Sequence, residues 1–383
     1  MAILLRTLIT RLRVRNFRSL AEIDLKLEPL TVFVGPNGAG KSTIVDVFRF
    51  VRDATTRGLD NAILERHGMS ALRRWSGKGR PYDVQIQLCL RNRGREIEYG
   101  FTLGSESRGE YSVKQEKCVI KSKQKSDQVF EIREGEWTQF PEDFGDKKLP
   151  RISSNNLAFP FYPFSDLYMV LGDLKRMGFY TIYPDTLREP QKPANPNPLE
   201  EKGQNLATVL RALKRKKRPT QVILEALEKV SQGITDYAVT QVGGYLVTRL
   251  HHGAGGPAFE LYQESDGTLR MLGILTALYQ DPPRPLLAIE EPELTIHPGA
   301  LGILCDALKE ASARSQVLIT THSPDLIYQF PADALRVVEK VDGATLVGPV
   351  AEHQRLAITQ KLFAPGELMR MEGLQRETTQ TGE

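Results

Sequence analysis

Apolar side chains at Ile23, Leu25 and Leu27 alternate with polar ones, the period of a half-exposed strand, while the short, mostly apolar run Leu30–Val34 predicts a buried strand. The second strand runs straight into a glycine-rich turn. Beyond it Ile44, Val45, Val47, Phe48 and Val51 fall at helical spacing, so the pattern predicts strand, loop and helix in succession. Period-two alternation returns over 82–90 and 97–103. The stretch 61–150 is therefore expected to be a β-rich subdomain following an N-terminal part over 1–60.

Pro184, Pro190, Pro193, Pro196 and Pro198 are too dense for regular helix and mark a loop or a crossing between lobes. Two amphipathic helices follow, with apolar stripes at Leu206, Val209, Leu210, Leu213 and at Val222, Ala226, Leu227, Val230, separated by Pro219. Neither is long enough for a coiled coil. Residues 151–235 thus predict a lid or short helical arm. A hairpin about Gly243-Gly244 is expected over 237–250, and from there to Val347 helices alternate with buried strands. That makes 236–350 the C-terminal part of an α/β head and leaves 351–383 as a C-terminal helix and tail, disordered over its last dozen residues.

Composition narrows the picture without naming a function. With 40% apolar and 26% charged residues the chain can bury a large core, and a net charge of +4 is too small to demand a polyanionic partner. Cys89, Cys118 and Cys305 are far apart and lack metal-ligand spacing, so they are expected to be reduced, mostly buried thiols. No apolar run reaches membrane-span length, and the N-terminal one is broken by Arg6 with no small-residue cleavage site. A cytoplasmic protein with no membrane partner is expected.

Gly35-Pro36-Asn37-Gly38-Ala39-Gly40-Lys41-Ser42 satisfies GxxxxGK[ST] and sits between a buried strand and a helix, the context that makes the pattern a phosphate site. Glycines let successive N–H groups converge on phosphate oxygens, and the helix adds its positive end. Lys41 is expected at the β- and γ-phosphates of ATP and Ser42 on Mg²⁺, with Thr43 behind it. A glycine-rich turn that happens to precede a helix is the bland alternative. An apolar strand ending in Glu290-Glu291 offers one carboxylate for metal and one for water, since successive strand residues point to opposite sides. Glu290 is assigned to Mg²⁺ and Glu291 to the attacking water as general base, against the plainer reading of a solvated acidic strand end.

Taken in order, Asn16-Phe17-Arg18-Ser19, the phosphate loop, Ser265-Asp266-Gly267-Thr268-Leu269-Arg270, the Glu290-Glu291 strand and Thr321-His322-Ser323-Pro324 resemble the ABC-type ATPases of the RecF/RecN/SMC group, especially a compact AAA-type variant. The resemblance covers both ends of the chain and implies a P-loop NTPase fold, an ABC-type ATPase head with a β-rich subdomain and a short helical insertion. It implies ATP hydrolysis with ATP and Mg²⁺ held between two heads of a homodimer, Ser265 and Gly267 of one protomer reaching the γ-phosphate of the other. His322 would be the switch histidine and 292–298 the D-loop. Two positions depart from the pattern of transporter ATPases: Asp266 replaces a glycine, and Glu290 an aspartate. No Q-loop glutamine can be assigned; Gln85 and Gln87 lie on the β-rich sheet.

Lys214, Arg215, Lys216, Lys217 and Arg218 form a candidate nucleic-acid patch between the two middle helices, and Arg73, Arg74, Lys78 and Arg80 surround Trp75. Both also read as solvated loops. The resemblance implies action on DNA in repair or in defence against foreign DNA. The overcoming-lysogenization-defect nucleases carry a nuclease domain at the end where only 61 residues follow His322 here, so a nuclease or other effector on a separate chain is expected. An ATP-dependent interaction switch without nucleic acid is the alternative, and a transporter motor is disfavoured by Asp266 and the long insertion.

Overall fold

The computed structural model describes residues 7–105, 110–121, 127–140, 150–161 and 165–378, with backbone alone for 165–167. The chain opens on a hairpin of β1 (Leu8–Phe17) and β2 (Leu20–Lys26), then β3 (Leu30–Val34) and helix α1 (Lys41–Arg57). Helices α2 (Leu59–Leu64) and α3 (Met69–Leu72) precede the antiparallel strands β4 (Val84–Asn92), β5 (Arg95–Ser105), β6 (Tyr111–Lys121), β7 (Gln128–Arg133) and β8 (Glu136–Gln139). Next come α4 (Ser165–Lys175), β9 (Gly178–Tyr180), α5 (Pro184–Arg188), α6 (Leu206–Leu213) and α7 (Lys217–Val230), then β10 (Ile234–Val242), β11 (Tyr245–His252) and β12 (Ala258–Glu260). The C-terminal part runs α8 (Asp266–Tyr279), β13 (Leu286–Glu290), α9 (Leu301–Ser312), β14 (Gln316–Thr321), α10 (Pro324–Ile327), β15 (Leu335–Val341), β16 (Ala344–Pro349), α11 (Glu352–Thr359) and α12 (Pro365–Met371).

Thirteen of these strands form one sheet in the order β8-β7-β6-β5-β4-β1-β2-β16-β15-β3-β14-β13-β9, and β10-β11-β12 form a second. Strands β15, β3, β14, β13 and β9 are parallel neighbours, whereas the wing from β8 to β2 is antiparallel. The parallel part is buried on both faces. In β14, Leu318 packs into the hydrophobic layer that contains α1, while Val317 and Ile319 pack into the opposite layer with α8 and α9. Phe50 of α1 meets Phe17 of β1 and Phe101 of β5 at 5.8 and 6.2 Å between ring centroids, locking the helix behind the phosphate loop to the antiparallel wing.

Several expectations change. Strand β1 lies outside the predicted pattern because a bulge between Ile9 and Arg11 breaks its alternation; Arg13 and Arg15 instead pair across the hairpin with Asp24 and Glu22. The stretch expected to be β-rich begins with helices α2 and α3. Pro184 does not exclude helix, because it opens α5 in the first turn, where no N–H is needed. Pro219 likewise lies in the first turn of α7 rather than between two helices. The segment expected as a lid contributes β9 to the edge of the main sheet, and α7 packs along α8. The hairpin closes on Gly243-Gly244, with Val242 opposite Tyr245. Cys118 and Cys305 are buried and Cys89 is partly so; all three are free. The disordered end expected for the chain lies mostly outside the described residues. Among those residues no helix is long and apolar enough to cross a membrane.

Candidate nucleotide-binding site

Three adjacent parallel strands deliver the candidate chemistry to one edge. Strand β3 ends at Val34 and feeds the loop 35–40, β14 ends at Thr321 before His322, and β13 ends at Glu290 before Glu291. The register aligns these ends, with Thr321 beside Val34 and Thr320 beside Glu290. Carboxyl ends of parallel strands are where open α/β sheets place ligands.

The loop has the form of an anion cradle. Gly40 takes φ 107°, and a Cβ there would come within 2.1 Å of the Thr345 hydroxyl oxygen, so both backbone and space require glycine. Thr345 Oγ1 donates to the Ala39 carbonyl at 2.8 Å, tying β16 to the loop. Helix α1 starts at Lys41 with no side-chain cap, leaving its first N–H groups to face the loop. Lys41 is buried and folds back to donate to the carbonyls of Gly35 and Pro36 at 2.8 and 3.0 Å. Burial pushes its pKa down, and Glu291 and Glu293 pull it up.

Ser42, Thr43 and Glu290 line one cavity of about 550 Å³, together with Arg18, Arg49 and Glu201. A hydroxyl and a carboxylate facing one space are the hard oxygen donors that suit Mg²⁺. Glu290 Oε1 accepts from Arg49 Nη2 at 3.4 Å. Glu291 adopts φ 45°, and its Oε1 lies 3.2 Å from His322 Nδ1. The two carboxylates therefore diverge through a left-handed turn after the strand, rather than through the pleat expected from the sequence. Gln85 and Gln87 line a different cavity with Arg13 and Lys117, and among the described residues no glutamine lines the one at Ser42.

Ser265 and Gly267 stand apart from the loop. Ser265 is exposed and caps α8, its Oγ accepting from Thr268 N at 3.2 Å. Gly267 passes residues 295–296 so closely that a Cβ would lie 2.9 Å from the Thr295 carbonyl. Among the described residues no hydrogen bond or ion pair joins Ser265 or Gly267 to residues 35–43. Asp266 pairs with Arg188.

Two neighbours lay inside motifs of the sequence reading but were given no role there. Arg270 of α8 is buried and donates to the carbonyls of Ile182, Glu290 and Glu291, the last at 2.7 Å, so it fixes the turn that carries both carboxylates. Burial lowers its pKa against the pull of Glu293, Tyr183 and Glu291. Glu293 is buried with one oxygen accepting from Thr321 Oγ1 and the other without a partner, and burial raises its pKa. The signals were Arg270 as the one basic residue of a mostly apolar helix and the third acid in Glu290-Glu291-Pro292-Glu293.

The basic patch lies at the α6–α7 junction and is exposed, but Lys214 pairs with Asp236 and Lys216 with Asp281. Asp281 follows the far end of α8, about 20 Å from Ser265 at the helical rise.

Comparison with known proteins agrees with this geometry. The profile of the family described as "AAA domain, putative AbiEii toxin, Type IV TA system" matches residues 30–327. An OLD nuclease of Thermus scotoductus is 63% identical over 38 residues, 10% of this chain and 7% of that protein. A DNA replication and repair protein RecF of Corynebacterium jeikeium is 39% identical over 62 residues, 16% of this chain and 15% of the relative. The matches therefore span a small part of these curated relatives. Among solved structures, an Smc head bound to the C-winged helix domain of ScpA superposes with TM-score 0.58 at 15% identity over 91% of this chain and 99% of that one. An Smc head domain bound to the C-terminal domain of ScpA, derived from Pyrococcus furiosus, gives TM-score 0.57 at 13% identity over 93% and 99%.

Proposed function

The chain belongs to the AAA domain family whose profile spans residues 30–327, a P-loop ATPase of the SMC/RecF/OLD type, and from that premise we propose an ATP-driven head-to-head switch that acts on DNA. The carrying observation is the split between its two halves. Lys41, Ser42, Glu290, Glu291 and His322 gather at three neighbouring strand ends, while among the described residues the exposed N-terminus of α8 with Ser265 makes no hydrogen bond to that loop. A second protomer supplying Ser265 and Gly267 would complete the site, since a helix N-terminus offers N–H groups and positive dipole to a γ-phosphate.

In this reading Lys41 and the N–H groups of 35–43 hold the β- and γ-phosphates. Ser42 and Glu290 would hold Mg²⁺, whose positive charge would offset the charge developing during phosphoryl transfer. Glu291 orients water in line with the γ-phosphate and takes its proton, and His322 holds the Glu291 carboxylate from the side. Hydrolysis removes the group both heads grip, so the dimer reopens. Bound DNA and an effector on another chain would be the targets of that cycle, a reading supported by the RecF and OLD segments and weighed against a pure protein switch.

Equilibrium binding and turnover of ATP by the purified protein and its Lys41→Ala variant test the site. Loss of nucleotide affinity is expected, because the terminal phosphate loses its main protein cation; unchanged affinity and turnover would remove the P-loop assignment.

A further inference from the structure

The first turn of α8 carries a conflict of charge. In the composite site its exposed end meets the γ-phosphate bound by a second protomer, and the N–H groups of Asp266 and Gly267 find no acceptor among the described residues, as that role requires. Yet Asp266, itself exposed, sets a carboxylate beside those groups where transporter ATPases have glycine, and a fixed negative charge repels a phosphate. Facing it is Arg188, the last residue of α5. Arg188 Nη2 donates to the Asp266 carboxylate and, at 3.3 Å, to the Glu264 carbonyl, while Nη1 donates to Asp185 Oδ1 at 2.9 Å. The guanidinium thus grips the residues on both sides of Ser265.

Packing holds Arg188 there. A Cβ on Gly273 of α8 would lie 2.6 Å from Ile182 Cγ2 and 3.1 Å from Leu187 Cδ1, so α8 passes the α5 segment at a distance only glycine allows. The other acid of the turn is already answered, since Glu264 is buried and its carboxylate lies 2.8 Å from His252 Nε2. Among the described residues no further ion pair reaches 264–268. We propose that Arg188 is the positioning residue that makes this acidic turn acceptable to phosphate: by neutralising Asp266 and holding its carboxylate against α5, it leaves the free N–H groups and the helix dipole to act on the γ-phosphate of the second protomer. The inference rests on the composite-site reading and adds a requirement of charge to it. A residue that serves to cancel Asp266 becomes dispensable once Asp266 is uncharged.

The measurement is the dimer dissociation constant of the Glu291→Gln protein with ATP and Mg²⁺, by light scattering over a dilution series, with ATP binding to the dilute monomer reporting the fold. Adding Arg188→Ala should weaken the dimer by about tenfold or more while monomer ATP affinity holds. Asp266→Asn alone should leave the dimer as tight or tighter. Placed on Arg188→Ala, it should restore dimerisation to within about threefold, because the charge that needed cancelling is gone. Equal dimerisation with and without Arg188, or a weaker dimer from Asp266→Asn alone, would overturn the inference. So would a loss in Arg188→Ala that Asp266→Asn does not relieve, which would reduce Arg188 to a structural tie for α5. If Ser265→Arg still blocks the dimer in the same series, the composite site survives that failure. A Glu291→Gln protein that never dimerises with ATP would remove the composite site and the inference together.

Discussion

His322 Nδ1 lies 3.2 Å from Glu291 Oε1, and the Glu291 N–H donates to the Thr320 carbonyl at 2.9 Å, so strand β14 and the residue that follows it hold both ends of the residue proposed to direct water. Glu290, its neighbour, faces Arg49 and the cavity of Ser42 instead. The two carboxylates occupy different electrostatic surroundings, which is what two different roles require.

Glu291→Gln should bind ATP with near-wild-type affinity and lose turnover by about 10²-fold or more, since the amide keeps shape and removes the base. Single-turnover phosphate release alongside equilibrium binding measures both. If Glu290→Gln gave the tight, slow protein and Glu291→Gln stayed active, the two roles would exchange.

With ATP bound, the Glu291→Gln protein should become a dimer by light scattering, and adding Ser265→Arg should prevent it by placing bulk and charge in the opposing site. Ser265 is exposed, so the substitution should leave the monomer folded. Full hydrolysis by a species that stays monomeric at every concentration would sink the composite site.

Glu116 of β6 is fully buried beneath the loop at Ala158 and Phe159, and burial raises its pKa to about 7 despite hydrogen bonds from both backbone N–H groups and from the Tyr99 hydroxyl. A carboxyl that keeps its proton longer in the folded state than in the unfolded chain, where it titrates near 4.5, favours folding at low pH. That advantage is lost as pH rises from 4.5 through about 7 and amounts to ~3 kcal/mol at most. The urea midpoint of the wild type should fall between pH 5 and 8, and Glu116→Gln should flatten that fall. Parallel pH profiles for the two proteins would show that Glu116 ionises freely in the fold.

The phosphate loop was legible because its chemistry is local: eight consecutive residues between a buried strand and a helix determine it, and β3 and α1 formed where the pattern placed them. The divergence of Glu290 and Glu291 was anticipated, but its cause was not, since a left-handed φ at a glutamate leaves no mark in composition. Arg270 and Glu293 were hidden because their meaning lies in long-range partners, three carbonyls for one and Thr321 for the other. Pro184 and Pro219 misled because proline breaks a helix only beyond its first turn. Strand β1 was lost to one bulge. Among the described residues nothing in the fold brings Ser265 to Lys41, and the proposed composite site would need a second copy to do so.

The last prediction concerns the basic patch, where the structure divides five charges into two kinds. Lys214 and Lys216 already pair with Asp236 and Asp281, and Lys214 also lies over the Tyr237 ring at 4.6 Å, so their charge is partly spent within the fold. Arg215, Lys217 and Arg218 are exposed and have no ion pair among the described residues. If the patch grips a phosphate backbone, replacing these three with alanine should remove most of its contribution, and replacing Lys214 and Lys216 should remove little. Each lost contact should reduce the log–log salt slope by about 0.9 on duplex DNA, to a similar extent for unrelated sequences. Basal ATP turnover should stay near wild type, because the patch lies at the end of α8 remote from Ser265 and shares no bond with residues 35–43. Fluorescence anisotropy with labelled duplexes over a salt series, on ATP-locked Glu291→Gln protein, reads the binding, and phosphate release by the same patch variants with Glu291 intact reads the turnover. No DNA binding at low salt would favour the interaction switch, and an unchanged slope in the triple variant would return the patch to an ordinary solvated turn.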